Sequence, residues 1–146
     1  METRINIMNL EPNAYKAMLG LEKYLSTTTL DARTKELIKI RSSQINGCAY
    51  CIQMHTEAAR KLDESEQRLY ALSAWKESPL FTDKEKAVLS LTDEITLISH
   101  NGLSKESYEQ ALQALGENAL AEAIMLIVTA NAWNRIGVST AMQHAS

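Results

Sequence analysis

Apolar residues recur along the chain at three- and four-residue steps while strand-like alternation is almost absent, so the pattern predicts a chain built of helices. From Pro12 to Leu25, the residues Ala14, Met18, Leu21 and Leu25 share one face, with Pro12 at a starting position and Thr27-Thr28-Thr29 beyond the end. Asp31 is placed to cap a second helix that runs to about Ile45 and carries Leu37, Ile40 and Arg41. Asn46-Gly47 is a stop-and-turn signal, so Cys48 opens a third helix running to about Leu62. A fourth is expected from about Ser65 to Lys76, ended around Pro79. Thr82 and Glu85 have capping-box spacing, and Ala87, Val88, Leu91, Ile95 and Ile98 line a fifth helix ending near Asn101-Gly102. Ser104 caps a sixth, closed by Gly116. The final helix, about Glu117 to Met142, is apolar around most of its circumference. It is expected at the centre of the fold or at a subunit interface, because Ile124, Leu126 and Ile127 point in different directions.

The expectation is an all-α bundle of about six to seven helices, forming one domain over residues 1–146, with a C-x-x-C at a helix N-terminus. Length supports this, since a chain of 146 residues buries about two thirds of its unfolded surface without disulfides or metals to hold it. A composition of 45% hydrophobic and 23% charged residues is that of an ordinary soluble protein. Net charge of -3, with no cluster of Lys or Arg, gives no electrostatic footprint for nucleic acid. The N-terminal stretch has no apolar run behind a basic one, and the most apolar segment, Ala123 to Ala132, is too short to cross a bilayer. No membrane partner is expected, and the cytoplasm is the expected compartment.

Chemistry is concentrated in NGCAYCIQMH, Asn46 to His55, which holds both cysteines and one of the three histidines. In a reducing compartment a C-x-x-C is catalytic or metal-binding more often than structural. On a helix Cys51 lies about 60° from Cys48, with His55 between them in projection, so all three share a face. Cys51 and His55 stand in the i,i+4 relation, whereas Cys48 sits at the first turn, where free N–H groups favour an anion; either setting favours a thiolate. Glu36, on the preceding helix, can be brought back to Cys51 or His55 by an antiparallel hairpin, where it would orient the imidazole or relay a proton. Local physics alone does not select Glu36 over Glu57 or Lys35.

The pattern Glu36, eleven residues, Cys48-x-x-Cys51, three residues, His55 resembles the active-site signature of the alkylhydroperoxidase D-like branch of the carboxymuconolactone decarboxylase family. TDKEKAVLSLTDEIT at 82–96 and NAWNRIGVS at 131–139 are similar to later segments of that family. The resemblance implies an all-helical fold, assembly into trimers or hexamers, and reduction of hydroperoxides through the cysteine pair. It also implies that Glu36, Cys48, Cys51 and His55 are the working residues. Some relatives carry a second histidine between the cysteines, where this chain has Ala49-Tyr50.

On this reading Cys51 attacks the hydroperoxide, His55 handles the proton and Cys48 closes a disulfide that an external dithiol or redox partner protein resets, with no bound cofactor. The alternatives are disulfide exchange with another protein, lactone decarboxylation as in the family's other named branch, and a non-enzymatic module holding zinc through Glu36, Cys48, Cys51 and His55. Asn131, Asn134 and Arg135 interrupt the apolar final helix and are expected to form an interface or pocket-shaping network. His100 and His144 are assigned no role.

Overall fold

The computed structural model describes residues 2–144, and no strand occurs among them. A single turn, α1 (Ile7–Leu10), was not foreseen from the pattern; Asn6 caps it by accepting from the backbone of Asn9. Then follow α2 (Pro12–Leu25), α3 (Ala32–Asn46), α4 (Ala49–Lys61) and α5 (Glu66–Ala71). A 3-10 turn at Leu72–Ala74 leads towards α6 (Asp83–Thr96), α7 (Ile98–Asn101), α8 (Lys105–Leu115) and α9 (Glu117–Ser139).

The caps read from the sequence are present. The Asp31 carboxylate accepts from the Thr34 N–H at 2.9 Å, Ser104 caps α8, and Thr82 with Glu85 forms a reciprocal capping box. Three expected helices end early, each for a tertiary or backbone reason. The fourth stops at Ala71, and the tighter 3-10 turn carries Trp75 into the core, where its indole N–H donates to Asp93. The fifth breaks at Leu97 (φ -99°, ψ 36°), so Ile98, expected on the core face, is 58% exposed. The last ends at Ser139 because Ala141 adopts a left-handed φ of 52°, and the N–H groups of Ala141 and Met142 return to the carbonyls of Val138 and Gly137.

Two apolar clusters form the core. One gathers Leu25, Ile38, Val88, Leu91 and Ala111 with Leu120, Ala123, Leu126 and Ile127; the other gathers Leu37, Ile40, Ala59, Leu72, Trp75, Phe81 and Leu89. Helix α3 sends Ile38 into the first and Leu37 and Ile40 into the second, so it lies between them and is buried on both sides. The centre of the fold is therefore shared. Helix α9 packs against α2, α3, α4, α6 and α8 but feeds only the first cluster.

The argument for an interface from Ile124, Leu126 and Ile127 is corrected. The chain covers Leu126 and Ile127 itself and partly covers Ile124, while Met125, Val128 and Val138 face outward. Among the described residues no single helix is long and apolar enough to cross a membrane.

Between α3 and α6 stands a pair 52 residues apart in sequence: Arg41 reaches Asp93 through Nε at 2.8 Å and Nη2 at 3.2 Å. Both side chains are mostly buried, and the carboxylate also accepts from Trp75, so three elements converge on it.

Candidate active site

The turn joining α3 to α4 fixes the first cysteine from both sides. Gly47 takes a left-handed φ of 67°, which costs a glycine nothing, and its N–H donates to the Gln44 carbonyl while that of Cys48 donates to Ser43 at 3.0 Å. Cys48 is then the N-cap of α4: its carbonyl accepts from Ile52 at 2.9 Å, and its sulfur accepts from the Cys51 N–H at 3.3 Å. Adjacent residues, Gly47 and Cys48, thus close one helix and open the next.

Cys48 and Cys51 are joined as a disulfide, with their Cα atoms 5.3 Å apart, and both are almost wholly buried. Helix α9 lies directly against them. A Cβ built on Gly137 would stand 3.0 Å from the Cys48 sulfur and 3.5 Å from the Cys51 sulfur.

Across the α3–α4 hairpin, His55 Nδ1 lies 3.1 Å from Glu36 Oε2, and Lys39 Nζ donates to the other carboxylate oxygen at 3.3 Å. Burial by itself would raise the Glu36 carboxyl, but the His55 hydrogen bond and the neighbouring charges of Lys39 and His55 outweigh it and hold the group below the ordinary carboxylate value. An ionised Glu36 makes Nδ1–H the donor of a neutral imidazole and leaves the lone pair on Nε2. The expected hairpin return of Glu36 to His55 is present.

The two rivals that local physics left open go elsewhere. Glu57 lies 3.7 Å from His144, and Lys35 donates to the Leu25 carbonyl. His144 also faces the ring of Tyr50, one of the two residues between the cysteines, at 5.6 Å between centroids.

Asn131 and Asn134 find partners at the end of α3. The Asn46 amide donates to Asn131 Oδ1 at 2.9 Å, Asn131 donates to Thr96, and the Asn134 amide lies 3.0 Å from that of Asn46 and 2.9 Å from Ser43 Oγ. Arg135 is exposed and donates to Asn131. These polar interruptions of α9 shape the site by holding it to the turn that carries Cys48. Gly137 and Ser43 were not foreseen beside the cysteine turn; the only sequence signal for the first was a glycine inside an otherwise apolar helix.

Among the described residues no group of three or more His, Cys, Asp or Glu side chains is arranged to hold a metal ion. Two open clefts, one lined by Arg33, Glu64, Arg68 and Glu85 and the other by Trp75, Lys84 and Gln110, include none of the four site residues.

The model of the carboxymuconolactone decarboxylase family matches residues 12–94, a span that contains Glu36, both cysteines and His55. The uncharacterized Bacillus subtilis protein YdfG is 40% identical over 146 residues, 100% of this chain and 99% of its own. Among solved structures, a protein of unknown function from Agrobacterium tumefaciens, suggested to be the antioxidant defence protein AhpD, superposes with a TM-score of 0.96 at 36% identity over 99% of each chain. An uncharacterized peroxidase-related protein from Silicibacter sp. TM1040 has the same fold at a TM-score of 0.79 and 21% identity, covering 90% of this chain and 70% of that one. The chain belongs to the carboxymuconolactone decarboxylase family, and its all-helical fold is that of the alkylhydroperoxidase D-like branch.

Proposed function

We propose that the protein is a thiol-dependent peroxidase that reduces hydroperoxides through Cys48 and Cys51. The observation that carries this reading is the combination of a bonded cysteine pair at the start of α4 with a Glu36–His55 hydrogen bond one turn further along the same helix. The Cys51 thiolate attacks the terminal oxygen of the hydroperoxide; the O–O bond breaks, an alcohol leaves, and Cys51 becomes a sulfenic acid. His55, oriented by Glu36, takes the thiol proton and delivers it to the departing oxygen. Cys48 then attacks the Cys51 sulfur, water leaves, and the disulfide forms. Two electrons have passed from the dithiol to the peroxide, and an external dithiol of the cytoplasm restores them. Lactone decarboxylation gives a bonded cysteine pair no part to play.

Stoichiometric peroxide is expected to convert two free thiols per chain into one intrachain disulfide, read by mass spectrometry as the loss of two hydrogens. Persistent free thiols, or sulfonic acid on one cysteine with the other untouched, would count against a working pair.

The same reading has the chain acting as a single domain and assembling with copies of itself, as a trimer or a multiple of one. The exposed apolar side chains of Met125, Val128 and Val138 on α9, and of Met142 beyond its end, support an apolar contact between copies. Light scattering at micromolar concentration should give a mass at least three times that of one chain; a monodisperse monomer would sink the idea.

A further inference from the structure

We infer that Gly137 is a positioning residue that makes room for the closed disulfide, so that α9 helps to set the equilibrium between dithiol and disulfide. This rests on the redox cycle proposed above. A methyl group at 137 would stand 3.0 Å from the Cys48 sulfur, closer than carbon and sulfur ordinarily approach, and 3.5 Å from that of Cys51.

Neither side can retreat cheaply. One turn before Gly137, Asn134 is buried against Ser43 and Asn46; after it, the Gly137 carbonyl accepts from Met142. Opposite, the Cys48 backbone is held through Ser43 and Ile52. Only the sulfur is left to move.

Its freedom differs between the two states. In the disulfide the Cys48 sulfur is tethered to Cys51, whose backbone lies inside α4. In the dithiol the tether is gone, and Cys48, on extended backbone at the cap (φ -90°, ψ 94°), can turn its sulfur away from α9 by rotating χ1. A side chain at 137 therefore penalises the disulfide more than the dithiol. Glycine removes that penalty, although within a helix it is a poorer choice than alanine.

The test is a redox titration of the full chain and of Gly137→Ala with dithiothreitol. In this exchange the reagent's two thiols give two electrons and two protons to the protein disulfide and close into the cyclic disulfide of the reagent. The variant's equilibrium is expected to move about tenfold towards the dithiol, about 30 mV more oxidising. The Tm of its oxidised form is expected to fall, whereas the reduced form holds or gains. With Cys48→Ala added, Gly137→Ala should no longer lower the Tm, because the atom it strikes is absent.

If the parent protein forms no disulfide with peroxide, the peroxidase reading fails; if the parent cycles and the variant's equilibrium stays within twofold, the role of Gly137 fails. Should Gly137→Ala alone not fold, the Cys48→Ala/Gly137→Ala protein decides: recovered folding supports the contact, and continued failure overturns it.

Discussion

Given one equivalent of peroxide, the Cys48→Ser protein is expected to accumulate a sulfenic acid at Cys51, while Cys51→Ser reacts no faster than a free thiol, at least about a hundredfold below the parent. Two arguments compete over which sulfur attacks. Cys48 is the cap of α4 and its sulfur accepts from the Cys51 N–H, a setting that favours a thiolate. His55, however, is one turn from Cys51 and nearly two from Cys48, about 6 Å against about 10.5 Å of helical rise. A base within reach outweighs a helix end, which is worth about 1 kcal/mol or less when exposed.

The position of α9 adds a reason of its own. Both cysteines are buried alike, but a Cβ at position 137 would meet the Cys48 sulfur first, at 3.0 Å against 3.5 Å for Cys51, so on the α9 side the first cysteine has the less room. The cap hydrogen bond then suits Cys48 to the second step, where it must attack the sulfenic acid as a thiolate. His55→Ala should slow the first step by about a hundredfold or more while leaving Cys48 able to close the bridge. Labelling of Cys48 by a sulfenic-acid trap in Cys51→Ser, at the parental rate, would reverse the two roles.

The largest loss of stability is expected at a residue with no part in the chemistry. Asp93→Ala should cost about 3 kcal/mol in urea denaturation, a large share of the roughly 5–15 kcal/mol that holds a domain of this size. The carboxylate accepts two hydrogen bonds from Arg41 and one from Trp75, and its removal leaves a guanidinium and an indole N–H mostly buried without their acceptor. Asp93→Asn keeps an acceptor for the indole and should lose less. A cost below about 1 kcal/mol for the alanine would mean that water replaces the carboxylate freely and that the pair does little to join α3 to α6.

How legible these parts were in the sequence follows from the range of the forces that place them. Asp31, Thr82, Ser104 and the Asn46-Gly47 stop act on backbone groups a few residues away, and the particular helix starts and the one helix stop that they govern fall where the pattern put them. Helix ends governed by distant contacts were not legible. Nothing near Ala71 announces that Trp75 must reach Asp93, and nothing near Ile98 announces the break before it. Glu36 shows the same limit within the site. Spacing on the helix could not separate it from Glu57 or Lys35, and family resemblance singled it out; the hairpin angle turns Glu36 to His55, Glu57 to His144 and Lys35 to the Leu25 carbonyl. Asn131 and Asn134 were conspicuous as amides in an apolar helix, yet their partners Asn46 and Ser43 lie 85 and 91 residues away.

The placement of α3 between the two apolar clusters bears on the speed of the chemistry. A helix packed into both apolar clusters cannot open without disturbing both, so Glu36 is mounted on a well-anchored element. The entropy of aligning the carboxylate with the imidazole is lost once, during folding, and does not recur at each turnover. A carboxylate seated this way reorganises little when charge shifts beside it, and on the proposed peroxidase reading the motion that admits a hydroperoxide falls to the helices around it.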